Sequence, residues 1–178
     1  RYSHTWKSLR FLMKIGVVSD THNNLKNIEI IISLFNDIEV PMVIHTGDIS
    51  NANTLEKFSK LNSELIGVYG NNDRNESGLK EVAQKNNFQF QEPPRRLTLL
   101  DREIVIFHEP DSIDKFISEN KLINVVLYGH THRYENNIRN GVLYFNPGES
   151  AGMQKGKNAI GILDLINLDA KRIFFWRL

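Results

Sequence analysis

The amino-acid sequence predicts an α/β fold in which two packed β-sheets form a sandwich flanked by helices. Three observations lead there. The first half alternates short apolar runs with segments of helical periodicity, the pattern of a parallel sheet with crossover helices. The second half carries paired strand-like runs around tight-turn residues, the pattern of hairpins. Polar motifs follow the apolar runs, so aspartate, asparagine and histidine side chains gather at strand ends, where α/β sheets place their sites.

Ile15–Ser19 is short and mostly apolar, as in a buried strand. Leu25–Ile38 has apolar residues at 25, 28, 31, 32, 35 and 38, the spacing of a helix face packed on a sheet. Pro41–His45 is a second strand. Asn53–Leu61 is a helix capped by Asn53 or Thr54. Leu65–Tyr69 is a third strand, and Ser77–Lys85 is a helix ended by Asn86-Asn87. Arg96–Leu100 and Glu103–Phe107 form a hairpin around Asp101-Arg102, followed by a helix at Ser112–Glu119 and a buried strand at Asn124–Tyr128. Tyr134–Arg139 and Val142–Asn146 flank Asn140-Gly141, the strongest short hairpin signal in the chain. Strands at Ala159–Asp164 and Lys171–Trp176 complete the pattern, with Phe174-Phe175-Trp176 expected to pack the last one. No repeat, low-complexity segment or linker interrupts residues 13–178, so one domain is expected there. Residues 1–12 are basic and aromatic, without the apolar core of a signal peptide. They read as an expression remnant or disordered arm before Met13, and His4 is set aside with them.

The 22 basic and 21 acidic residues give a net charge of +1, which excludes a general pull toward nucleic acid or anionic membrane. No apolar run approaches the roughly 20 residues that span a bilayer. The absence of cysteine excludes disulfides, thiolate metal sites and a cysteine nucleophile. It fits a reducing compartment, and a cytoplasmic location is expected.

The functional motifs run in order: Asp20-Thr21-His22, Gly47-Asp48, Gly70-Asn71-Asn72-Asp73, His108 and Gly129-His130-Thr131-His132. Asp20/His22 and His130/His132 are i, i+2 pairs, which point the same way in an extended segment. The glycines permit sharp turns past a strand. Imidazole and oxygen donors without sulfur suit Mn, Fe, Zn, Ni or Co better than Ca or Mg. Two divalent ions against Asp20 and Asp48 would leave a local charge of about +2, an anion trap on a near-neutral protein. Paired ions roughly 3.5–4 Å apart clamp a phosphoryl group and activate water.

This order resembles the calcineurin-like metallophosphoesterases, most closely their small bacterial and archaeal phosphodiesterase branch. The likeness runs from Met13 to the C-terminus and includes Asn146-Pro147-Gly148. It implies a two-sheet sandwich and hydrolysis of small phosphodiesters at a dinuclear centre, with Mn as the expected metal and Ni, Zn, Fe or Co as alternatives. Asp20, His22 and His132 would hold one ion, Asn71, His108 and His130 the other, and Asp48 would bridge. Asp48, Asn72, Asp73 and His130 are the expected catalytic group. The implied partner is a small phosphodiester, with neither membrane nor a nucleic-acid surface, and a homo-oligomer is left open.

The sequence departs from the family pattern at three positions. Asn72 stands where many members carry a histidine that protonates the leaving group, and an amide cannot do that. Glu109 replaces a glycine after His108, where it could crowd the second metal or add an acceptor. Glu149 reads as a loop variation. His45 is expected to be buried behind the ligands. Asn23 and Asn24 are expected to shape their loop, Arg74 to be a solvated loop residue, and Arg95-Arg96 a solvated strand start. The competing readings are a phosphomonoesterase and a non-catalytic scaffold resembling the retromer small subunit. Completeness of the ligand set separates the scaffold from the enzyme.

Overall fold

The computed structural model describes residues 14–176, so the expectations for residues 1–13 lie outside the described residues. Strand β1 (Lys14–Val18) opens the chain and leads into helix α1 (Leu25–Ile38). Asn24 caps α1 by accepting the Asn27 N–H at 3.2 Å. Ile28, Ile31, Ile32 and Phe35 form its buried stripe, whereas Leu25 is 41% exposed and falls off that face. Strand β2 (Met42–His45) follows. Helix α2 begins earlier than its sequence suggested, at Ala52–Lys57, and continues as a 3₁₀ turn over Phe58–Lys60. Its cap is Asn51, not Asn53 or Thr54. The Asn51 side chain accepts the Thr54 N–H at 2.9 Å, which fixes the first turn three residues upstream.

Strand β3 (Glu64–Val68), helix α3 (Leu79–Lys85) and strand β4 (Gln89–Gln91) complete the parallel run. Sequence reading missed β4. It is a three-residue edge strand with one neighbour, so it needs little apolar character. The first sheet has six strands in the order β11-β10-β1-β2-β3-β4, where β10 (Ala159–Asp164) and β11 (Asp169–Phe174) are antiparallel.

The second sheet is five-stranded, ordered β5-β6-β7-β9-β8. It comprises β5 (Arg95–Leu99), β6 (Arg102–Ile106), β7 (Val125–Leu127), β8 (Glu135–Arg139) and β9 (Val142–Asn146), with helix α4 (Ile113–Glu119) on its outer face. The first hairpin turns at Leu100-Asp101, one residue before the expected pair, because both adopt positive φ (49° and 61°). The second turns at Asn140-Gly141 as expected.

Side-chain alternation builds the sandwich. Ile15 and Val17 point between the sheets, with Ile44, Val68, Ile106, Leu127 and Phe145. Val18 faces α1 and packs near Phe35. Gly16 shares that face, and a Cβ there would lie 2.4 Å from the Phe35 ring, so the glycine admits the helix. Of the terminal aromatics only Phe175 is buried, since Phe174 and Trp176 are 44% and 63% exposed. Arg95 is half-buried, not solvated. It donates to the Gln89 carbonyl and so ties an edge of the second sheet to the first. No helix among the described residues is long and apolar enough to cross a membrane.

Candidate metal centre

The parallel strands end together, and their following loops meet. The Asp20 N–H donates to the Gly47 carbonyl at 3.1 Å, and the His22 N–H to the Asp48 carbonyl at 2.9 Å. The Gly129 N–H reaches the His108 carbonyl at 3.1 Å. These contacts join the ends of β1 and β2 and those of β6 and β7, the His130 N–H donates across to Asp20 Oδ2 at 3.1 Å, and the loop after β3 adds Asn71, Asn72 and Asp73.

Two clusters of donors result. Asp20, His22 and His132 place ligand atoms within 4.8 Å of one another, and Asp48, His108 and His130 do the same. Asn71 Oδ1 joins the second cluster, 2.9 Å from His108 Nε2 and 3.0 Å from His130 Nδ1. Asp48 lies between the clusters. Its Oδ1 is 3.4 Å from His108 Nε2, and its Oδ2 is 3.9 Å from His22 Nε2.

The donor set fits divalent metal ions. Asp20 Oδ1 and His22 Nε2 are buried without hydrogen-bond partners, although both face the cluster. Buried acceptors are seldom left unmatched without a reason. The imidazoles are oriented from behind: His108 Nδ1 donates to the Thr46 carbonyl at 2.9 Å, leaving Nε2 free to bind, and Ser50 Oγ lies 3.2 Å from His22 Nδ1. Burial opposes the charge of Asp48, but His108 and the two Asn72 donors outweigh it and hold its carboxyl well below the usual range. Burial alone would lower the His108 pKa, and Asp48 reverses that and raises it.

The backbone is strained here. Asp20, His22, Asp48, His130 and His132 all take positive φ, between 44° and 66°. The i, i+2 pairs therefore do not converge as extended segments. Each turns through left-handed residues, and His130 and His132 divide between the two clusters. The motif glycines also act differently from expectation. Only Gly47 has a left-handed backbone, with φ 106°. Gly70 and Gly129 are needed for close approach: an added Cβ would lie 2.2 Å from Asp48 Oδ1 in the first case and 1.9 Å from Ser19 Oγ in the second.

Asp73 does not face the open site. It is buried, and its carboxylate accepts the N–H groups of Asp48, Ile49, Ser50 and Gly70 at 2.7–2.9 Å. It locks the Asp48 loop to the Asn71 loop. Asn72 likewise engages Asp48, through its backbone N–H at 3.0 Å and its side-chain Nδ2 at 2.7 Å. Glu109 turns away from the second cluster and pairs with Arg74 at 3.0 Å, so Arg74 is not simply solvated. Glu149 is more than a loop variation: fully buried, it accepts the N–H groups of Gly152, Met153 and Gln154. Asn146 is a further buried support, donating to the Gly129 carbonyl at 3.0 Å and Thr131 Oγ1 at 3.1 Å. Its only sequence signal was the Asn-Pro-Gly turn. Asn23 and Asn24 shape their loop, Asn23 by accepting from Asn51 and Thr54.

His45 is wholly buried. Nδ1 accepts the Gly47 N–H at 3.1 Å, so Nε2 carries the proton and donates to Thr21 Oγ1 at 3.0 Å. Burial lowers its pKa to about 3, so the ring is a neutral strut.

Residues 13–167 match the calcineurin-like phosphoesterase superfamily domain. The chain is 38% identical over 154 residues to Phosphodiesterase MJ0936 of Methanocaldococcus jannaschii, covering 85% of this chain and 93% of that protein. It is 27% identical over 173 residues to Phosphodiesterase YfcE of Escherichia coli, covering 86% and 88%. A solved archaeal phosphodiesterase superposes with a TM-score of 0.83 at 36% identity, covering 92% of this chain and all of that one. Vps29 of Entamoeba histolytica shares the fold, at 16% identity and a TM-score of 0.64, covering 92% of this chain and 98% of that one.

Proposed function

This chain belongs to the calcineurin-like phosphoesterase superfamily and is a phosphoric ester hydrolase, and from that premise we propose that it hydrolyses small phosphodiesters at a dinuclear metal centre. The observation that carries this reading is the pair of donor clusters with Asp48 between them. Asp20, His22 and His132 would hold one ion and Asn71, His108 and His130 the other, and Asp48, which lies between the clusters, would serve both. Mn is the proposed metal, and Ni, Zn, Fe or Co would suit the same donors. When bound, the ions neutralise phosphoryl charge and activate water for attack on phosphorus.

The chain's own residues govern the leaving group. The Asn72 amide does not titrate near neutral pH, so no general acid stands at that position and the departing alkoxide takes its proton from solvent. This favours diesters with good leaving groups and disfavours the phosphomonoesterase reading. Asp73 acts by positioning the two loops. The scaffold reading is weaker, because all seven ligand positions carry donors and those donors lie close together; the Vps29 likeness is one of fold alone.

The test is to measure Mn content and bis(4-nitrophenyl) phosphate hydrolysis in Asp48→Asn and His132→Ala. Both quantities should fall together in each variant. Wild-type hydrolysis in either one, with metal content verified, would overturn the assignment.

A further inference from the structure

The loops that carry Asn71 and His108 come from different sheets, after β3 of the first and β6 of the second. His108 is fixed from behind by the Thr46 carbonyl. Asn71 has no such support. It is exposed, and among the described residues its side chain meets only His108 and His130, its fellow donors. Asp73 pins the Asn71 loop to the Asp48 loop, within the first sheet. Toward the second sheet, one further bond joins the Asn71 loop to the His108 loop among the described residues: Arg74 Nη2 donates to Glu109 Oε2 at 3.0 Å.

Both partners sit beside donors along the chain. Glu109 directly follows His108, and Arg74 lies three residues after Asn71. The other carboxylate near Arg74 is Glu92, 3.8 Å from Nε, which follows β4 in the first sheet and adds no link to the His108 loop. The pair therefore holds two loops of different sheets in register before an ion arrives. Supports behind a ligand raise affinity because the ion need not order that ligand itself.

We propose that Arg74 and Glu109 are positioning residues, a clasp between the sheets that sets the affinity of the Asn71, His108 and His130 cluster for its divalent ion. The proposal rests on the dinuclear reading and deepens it.

A clasp and two bare charges predict opposite results at Arg74. Removing a cation beside a cation site favours the metal by Coulomb's law. Removing half of a clasp disfavours it.

The test is Mn binding to the full-length protein after chelation, followed by isothermal titration calorimetry. The step belonging to this cluster is the one that Asn71→Ala weakens. Arg74→Met and Glu109→Ala should each weaken that step by roughly two- to fivefold, the range of an exposed ion pair, since the two side chains are 44% and 33% exposed. The double variant should bind no more weakly than the weaker single one. Glu92→Gln removes the other carboxylate charge beside Arg74 and should leave the step unchanged. Unchanged binding in either single variant, tighter binding in Arg74→Met, losses that multiply in the double variant, or a loss in Glu92→Gln equal to that in Glu109→Ala overturns the clasp alone. A single Mn per chain, or an Asn71→Ala variant with both steps intact, overturns the dinuclear reading, and the clasp with it.

Discussion

Replacing Asp73 by alanine should unfasten the centre without touching a proposed ligand. The Asp73 carboxylate accepts four backbone N–H groups, and the three from Asp48, Ile49 and Gly70 are buried. Each buried donor left unmatched costs about 1–3 kcal/mol. The lost carboxylate returns part of this, because its burial is itself unfavourable and raises its pKa. The balance is a destabilisation of roughly 3–4 kcal/mol, which for a chain of this length lowers Tm by about 10 °C. Urea and thermal unfolding should be followed by circular dichroism on exhaustively chelated protein, so that metal affinity does not enter the comparison. Asp73→Asn should fall between the wild type and alanine, because its single carbonyl oxygen serves some donors while its amine faces others. A loss below about 1 kcal/mol for Asp73→Ala would refute the four-donor account, and so would an Asp73→Asn variant as stable as the wild type.

The same geometry sets three further outcomes. Asn72→His should raise monoester hydrolysis relative to diester hydrolysis; a flat ratio would show that the missing acid does not set the preference. His45 has a folded pKa of about 3 against 6.5 for the unfolded chain, so the unfolded state takes up a proton first as pH falls. Its contribution is therefore complete above pH 6.5 and drains away toward pH 3, by up to roughly 5 kcal/mol, and His45→Gln should flatten that part of the acid-unfolding profile in chelated protein. Gly129→Ala would drive a Cβ to 1.9 Å from Ser19 Oγ and 2.8 Å from Asp20 Oδ2. It should lower both Tm and Mn affinity, and a variant with wild-type values of both would show that the β7 loop can move aside.

Much of this protein was legible in its sequence, and for identifiable reasons. Helix α1 announces itself because fourteen residues keep one apolar stripe and an asparagine cap. The Asn140-Gly141 hairpin is plain because few residue pairs accept two successive positive φ values. Other features carry little local signal. Strand β4 is two glutamines around one phenylalanine and is held by a single neighbour. The start of α2 depends on which of several adjacent polar residues turns its side chain toward the Thr54 N–H. Arg95 looks like any surface arginine until β4 is seen beside it.

By itself the sequence determined the fold class, the family and the class of reaction, because these depend on periodicity and on the order of short motifs. Only the tertiary structure decided which way the second-rank polar groups face. Asp73, read as a catalytic partner, turns inward to four N–H donors; Asn72 lies against Asp48; Glu109 leans away to Arg74; and Glu149 folds into its own loop. The side chain of a buried polar residue goes where its hydrogen bonds can be met. Its partners can lie far away along the chain, as for Asn27 and Ser150, 123 residues apart, and no local pattern names them.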